Sequence, residues 1–296
     1  MPAIILDGRK TREELMPGLM ERIGNLDVPP TLAIIQVGDR PDSTSFIRAK
    51  NLFARKIGVK VKHIQLPEKI QEAALRHIVQ ECNSDSSIQG VIVQLPLPEH
   101  INKDMIIDAI DPEKDVDALT ATSVKGWLGG DKNALMPATA RGIKQLLKKY
   151  GISLAGKKVT VVGRSMLVGK PIAAMCVNEN ATVTVCHSRT SDIMKETRNS
   201  DVIIVAAGKP KLIRSEHTKE GQVIVDVGIN TAEDEGSKKP EEELPGKKMC
   251  GDVDFENVKE KVAAISPVPG GVGPMTVLAL FLNLADLCSR RESDII

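Results

Sequence analysis

Lys158-Val-Thr-Val-Val-Gly163-Arg164-Ser165-Met-Leu-Val-Gly169-Lys-Pro171 reads as a strand, a tight turn and the start of a helix. Gly163 lets the chain turn sharply, and Gly169 lets the helix approach the sheet. A turn of this kind aims free backbone N–H groups and the positive end of a helix dipole at a phosphate. The Gly-x-Gly-x-x-Gly fingerprint is absent, so taken alone the segment also fits a strand-to-helix turn that holds no ligand.

The neighbouring residues favour a ligand. The next strand, Thr182–Cys186, runs into His187-Ser188-Arg189-Thr190. In a dinucleotide fold the end of this second strand meets the adenosine ribose, where an acidic residue selects NAD. Ser188 and Arg189 stand there instead, with Arg164 and Ser165 in the first turn. Hydroxyls and guanidinium groups suit a 2′-phosphate, so the expected cofactor is NADP. Its candidate contacts are Gly163, Arg164, Ser165, Ser188 and Arg189, while His187 reads as a surface or packing residue.

Outward from this unit the same alternation repeats. Thr31–Val37, Val59–Gln65, Gly90–Val93, Val202–Val205 and Val223–Val227 read as strands, and Ser43–Lys56 and Gln71–Cys82 carry helical periodicity. Strands separated by helices of this length imply βαβ units and parallel sheets. At 296 residues the chain is expected to form two domains. The patch Gly126-Trp127-Leu128-Gly129-Gly130 is the candidate boundary from composition, and Glu233–Lys248 reads as a solvated loop. The final helix, Gly273–Ser289, is expected to return to the first domain, because the second sheet is already complete without it.

Composition removes several function classes. Forty Lys plus Arg against 39 Asp plus Glu leave a net charge of +1, without the basic footprint of a nucleic-acid binder. Four Phe, one Tyr and one Trp provide no platform for stacking bases. Five cysteines, none at Cys-x-x-Cys spacing, argue against a disulfide framework or a zinc site. The start carries Asp7 before any long apolar run, and the apolar stretch Val277–Leu284 contains Asn283 and is too short for a bilayer. The expectation is a cytoplasmic enzyme with no membrane, nucleic-acid or metal partner.

Candidate chemistry lies in the first half. Ser43, Phe46 and Lys50 share one helical face, where a lysine beside an aromatic ring could hold a flat ligand and exchange a proton with it. The general basicity of the helix, with Arg48, Arg55 and Lys56, equally fits a solvated face. Gln94 follows a buried strand, at the edge where open α/β sheets bind ligands. Asp111-Pro-Glu-Lys-Asp115-Val-Asp117 sets two carboxylates at i and i+2. With no third ligand nearby, one carboxylate reading the N–H groups of a heterocycle is the more economical role than a metal. Pro267-Val-Pro-Gly-Gly-Val-Gly-Pro274 is a loop that exposes backbone donors or simply turns the chain. Gly163-Arg-Ser165 has Leu167 where a nucleophile elbow needs its second glycine, so a serine hydrolase is disfavoured.

Taken in order, VQLPLP, PEKDVD, VVGRSMLVGKP, VTVCHSRT, VDVGIN, GDVDF and PVPGGVGPMT resemble the bifunctional methylenetetrahydrofolate dehydrogenase/methenyltetrahydrofolate cyclohydrolase family, often called FolD. The resemblance runs from Gly38 to Pro274. It implies two α/β domains with a cleft between them, the second a Rossmann-like parallel sheet. The domains it implies are 1–138, folate-binding and catalytic, completed by a C-terminal helix at 273–296, and 139–272, which binds NADP. It implies a homodimer acting on tetrahydrofolate one-carbon derivatives. It makes Lys50 the catalytic lysine, Gln94 its hydrogen-bonded neighbour and Asp117 the grip on the pterin. Phe46, Val93, Leu95, Pro269, Gly270, Gly271, Gly273 and Pro274 would line the folate site, and Ile229 would join the NADP contacts.

Three departures from the family pattern fall on the folate side. Phe46 replaces the usual Tyr, Ser123-Val124-Lys125 replaces Asn-x-Gly, and Ala118 and Ala140 stand where Gly and Pro are common. They bear on substrate affinity and on the balance of two activities: oxidation of 5,10-methylenetetrahydrofolate and hydrolysis of its product. A monofunctional NADP-dependent dehydrogenase with weak cyclohydrolase activity is the alternative that Phe46 motivates. A catalytically silent nucleotide-binding protein is the alternative from another class, opposed by the retained Lys50, Gln94 and Asp117.

Overall fold

The structure, a computed structural model, describes residues 2–131, 133–233 and 247–294. In chain order the first half contains β1 (Ile4–Ile5), α1 (Gly8–Gly24), β2 (Thr31–Val37), α2 (Pro41–Lys56) and β3 (Lys60–Leu66). It continues through α3 (Glu72–Ser84), β4 (Gly90–Val93), α4 (Lys103–Ile107) and α5 (Ala121–Leu128). The second half contains α6 (Ala138–Lys149), β5 (Lys158–Val162), α7 (Gly169–Asn178), β6 (Thr182–Cys186), α8 (Ile193–Arg198) and β7 (Val202–Val205). It ends with β8 (Val223–Asp226), β9 (Asn230–Glu233), β10 (Lys247–Cys250), α9 (Phe255–Val258), β11 (Ala264–Ile265) and α10 (Val272–Asp294).

Contacts among the described residues divide the chain into two compact units. One comprises Leu15–Ala138 and Val277–Ile296. It holds a three-stranded parallel sheet in the order β3-β2-β4. β2 and β4 are almost wholly buried, as their predominantly apolar sequences require. β3, at the edge, alternates partly buried Val61, Ile64 and Leu66 with exposed Lys60, Lys62 and Gln65. Ile35, Val91, Leu75, Val79 and Ile106 form its core.

The other unit comprises Met1–Glu14 and residues from Thr139 to Thr276. Its six-stranded parallel sheet runs β1-β11-β8-β7-β5-β6. Residues 1–14, expected with the first domain, belong here. Ile4 and Ile5 pair in parallel with Ala264 and Ile265, and Leu6 N–H donates to Ile265 O at 2.9 Å. Two residues of strand carry too little periodicity to be read in advance.

Two further expectations change. The glycine patch at 126–130 is not a boundary: Gly126 lies inside α5 and Trp127 is buried, because the helix turns its indole inward. The solvated loop expected over Glu233–Lys248 falls largely on 234–246, outside the described residues, while its ends pair as the antiparallel strands β9 and β10. Helix α10 has the length and composition to cross a membrane, yet 72% of that window is buried inside the protein. It begins within the six-stranded unit and passes at Val277 into the three-stranded one, where Phe281 packs against Phe53 of α2 with ring centroids 5.6 Å apart.

Candidate active site

Phe46 and Lys50 lie four residues apart on α2, one helical turn, and so share a face. Phe46 is exposed and Lys50 is half-buried. Lys50 Nζ donates to Gln94 Oε1 at 3.0 Å. Gln94 stands directly after β4, and its backbone N–H still donates to Ile35 O at 2.8 Å, so the strand ladder holds it in place. Its side-chain Nε2 donates to Leu95 O at 2.9 Å. That bond fixes the direction of the amide and turns its oxygen toward the lysine.

The two carboxylates of PEKDVD divide their labour. Asp115 is buried and accepts from the Thr120 N–H at 2.8 Å and the Leu119 N–H at 3.3 Å, closing its own loop. Lys114 is buried too, donating to the carbonyls of Cys82 at 3.0 Å and Asp85 at 2.8 Å. The backbone on the other side of Asp117 is held as well: Ala118 sits buried with φ 55°, in the left-handed region. Asp117, half-buried, lies close enough to Lys50 for each to feel the other's charge. Burial lowers Lys50 below the usual amine range, against the pull of Asp117. Burial likewise raises Asp117 above the usual carboxylate range, against the pull of Lys50, and Asp115 adds to the rise. Desolvation outweighs attraction for both partners, so both shift toward their neutral forms. An amine lowered in this way accepts and returns a proton more readily than a free lysine.

Of the other expected folate contacts, the Val93 side chain belongs to the hydrophobic core, which leaves only its backbone for a ligand. Leu95 is half-buried at the strand end. Pro269, Gly270, Gly271, Gly273 and Pro274 lie in the other unit. There Gly270 O accepts from the N–H groups of Gly8 at 2.9 Å and Arg9 at 3.0 Å, so the N-terminal segment pins this loop. The structure therefore brings Phe46, Lys50, Gln94, Leu95 and Asp117 together within one unit and places the glycine loop in its own.

The strand-to-helix turn has the form its sequence predicts. Gly163 has φ 133°, and a Cβ there would overlap Ala206 O; a Cβ at Gly169 would overlap Gly163 O. Ser165 Oγ accepts from the Gly169 N–H at 3.3 Å at the start of the ten-residue α7. Arg164, Ser165, Ser188 and Arg189 are exposed, as is Ile229, at 43%. His187 shapes its own turn, its Nδ1 accepting from the Arg189 N–H at 3.2 Å and its N–H donating to Thr190 Oγ1 at 2.9 Å. A backbone cradle that a side chain would fill, at a helix N-terminus ringed by hydroxyls and guanidinium groups, fits a dinucleotide phosphate. Sequence reasoning missed the segment Ala206–Lys209 that packs on this turn. Its signal was positional: it follows β7, which the sheet order sets beside β5.

Residues 6–117 match the family described as "Tetrahydrofolate dehydrogenase/cyclohydrolase, catalytic domain" and residues 137–292 match its "NAD(P)-binding domain". The chain is 42% identical over 296 residues to the "Bifunctional protein FolD" of Bacillus subtilis, covering 99% of this chain and 100% of the relative. A crystal structure of the bifunctional FolD dehydrogenase/cyclohydrolase from Campylobacter jejuni superposes with a TM-score of 0.90 at 39% identity, covering 98% of this chain and 99% of that one. The Trypanosoma brucei enzyme complexed with NADP and an inhibitor superposes with a TM-score of 0.92 at 35% identity, covering 99% of both chains.

Proposed function

That this chain belongs to the tetrahydrofolate dehydrogenase/cyclohydrolase family is the premise from which we propose its function and the part each residue takes. The protein is bifunctional: it oxidises 5,10-methylenetetrahydrofolate with NADP, then hydrolyses the methenyl product to 10-formyltetrahydrofolate. NADP supplies the hydride acceptor of the first reaction. Gly163, Arg164, Ser165, Ser188, Arg189 and Ile229 would hold it, Gly163 by clearing space for the pyrophosphate and the two arginines by meeting a 2′-phosphate.

The observation that carries the assignment of roles is the Lys50–Gln94–Asp117 arrangement. Phe46 offers its exposed ring to the flat pterin, and Asp117 accepts from the heterocycle's N–H groups. In the hydrolysis, Lys50 in its amine form takes a proton from water as the oxygen bonds to the methenyl carbon. The ammonium then gives a proton to the departing ring nitrogen as its bond to that carbon breaks, and the hydroxyl left on the carbon releases its remaining proton to solvent as the formyl C=O forms, which balances the positive charge the methenyl substrate brings. Gln94 keeps the amine aimed, and burial keeps its proton exchangeable. A homodimer in a reducing cytoplasm, supplying one-carbon units for purine synthesis, extends this reading; the five free cysteines fit that compartment.

Lys50→Met tests the assignment. It is expected to reduce hydrolysis of methenyltetrahydrofolate by about a thousand-fold, within the usual range for a general acid–base group. NADP affinity, measured by calorimetry, is expected to stay within about two-fold, a shift well below one hydrogen bond's worth. Parallel loss of both would make the lysine structural.

A further inference from the structure

The motifs VDVGIN and GDVDF each contain an aspartate that takes no part in the chemistry above, and the fold interlocks them. Asp252 is fully buried. Its Oδ2 accepts from the N–H groups of Ala207 at 2.6 Å and Gly208 at 2.8 Å. Its Oδ1 accepts from the Lys209 N–H and from Asn230 Nδ2, both at 2.8 Å. Asp226 in turn holds the backbone that carries Asp252: Oδ1 accepts from the N–H groups of Gly228 at 2.9 Å and Asp252 at 3.0 Å, and Oδ2 from Val253 at 2.9 Å. The packing is reciprocal. A Cβ at Gly228 would overlap the Asp252 carboxyl group, and a Cβ at Gly251 would overlap that of Asp226.

The sheet order says what this lock controls. β6 flanks β5 on one side and β7 then β8 on the other, so the β5 turn is the switch point of the sheet. Ser188 and Arg189, at the end of β6, mark the adenosine side. The segments after β7 and β8, Ala206–Lys209 and Val227–Asn230, border the opposite side, where the nicotinamide half must lie. Both are tied to the one Asp252 carboxylate. Ala206 also packs against the Gly163 turn, which connects the lock to the phosphate cradle.

We propose that Asp252 is a positioning residue for the nicotinamide half of the dinucleotide site, setting the post-β7 and post-β8 segments at one spacing through its shared carboxylate. The proposal rests on the reading of the Gly163–Gly169 turn as the NADP cradle. Asp252→Asn keeps the shape but turns an amide N–H toward backbone donors that need an acceptor.

The test is calorimetric titration of the full chain with NADP and, separately, with adenosine 2′,5′-bisphosphate, which lacks the nicotinamide half. Wild-type protein that binds neither would refute the cradle itself, independently of Asp252. Given wild-type binding, Asp252→Asn is expected to weaken NADP by about ten-fold or more, the effect of losing a charged hydrogen bond, and the bisphosphate by less than about two-fold. Equal weakening of both ligands would make Asp252 a general support of the unit, and unchanged NADP affinity would remove it from the site; either result overturns the proposal. Asn230→Ala, which unties only the post-β8 segment, provides a second variant should the first not fold. It is expected to weaken NADP by about three-fold with the bisphosphate unaffected, and an equal effect on both ligands again overturns the idea.

Discussion

Burial pushes the Asp226 carboxyl up to about 7, against the pull of three backbone N–H donors, and the neighbouring Asp252 charge adds to the rise. The sign of the resulting pH dependence follows from linkage. Below the ordinary carboxylate pKa of 3.8 both the folded and unfolded chains hold this proton. Between there and about 7 the folded chain holds it and the unfolded chain does not, so stability falls as pH rises through that window and then levels. The full span is on the order of 4 kcal/mol. Asp226→Asn should flatten it, as urea unfolding of variant and wild type at several pH values between 4 and 8 would show; superimposable slopes would place the titration elsewhere. Lys50 and Asp117 stand out in the sequence only as candidates, one sharing a helical face with an aromatic ring and the other in an acidic motif at i and i+2, and the family resemblance rather than the pattern selects them. The lock around Asp252 is not, because most of its partners are backbone N–H groups, which every sequence carries.

Helix α10 shows the same contrast at the scale of an element. Its apolar run and approximate start at Gly273 are visible in the sequence, and the helix begins at Val272. Asn283 reads in the sequence as a mark against a membrane span. In the structure it is fully buried, and its Nδ2 donates to Val116 O at 2.7 Å and Met136 O at 3.0 Å. The helix thereby grips the residue before Asp117. Asn283→Ala is expected to destabilise the three-stranded unit by about 2–3 kcal/mol, because a buried carbonyl is left without a donor. The KM for the folate substrate should rise as well. Denaturant midpoints check the first effect and steady-state kinetics the second, and a loss of stability without any change in KM would separate α10 from the site. The strands are the most legible elements: β2, β4, β6 and β7 have the bounds read from their apolar, β-branched runs. Strand β1 is not, because its pairing with β11 joins residues about 260 positions apart, a separation no local periodicity reports.

At the scale of the whole molecule, the described residues form a buried apolar cluster at each parallel sheet. Unfolding is therefore expected in two transitions, with a single two-state free energy inapplicable. NADP at about 100 times its dissociation constant adds about 2.7 kcal/mol to whatever binds it. Scanning calorimetry should show the transition of the six-stranded unit moving upward while the other stays, and a shift of both or of neither would contradict a nucleotide site confined to that unit. The sequence by itself determined the α/β class and the strand-turn-helix at Gly163, because strand patterning and tight turns are written in residues close along the chain. The tertiary structure alone decided that residues 1–14 join the nucleotide-binding unit, that Asp115 closes a loop while Asp117 is left within range of the Lys50 charge, and that two distant motifs share one buried carboxylate lock. The reason is physical. Burial and backbone hydrogen bonds between remote segments set the proton affinities and the loop positions, and both exist only once the chain has packed.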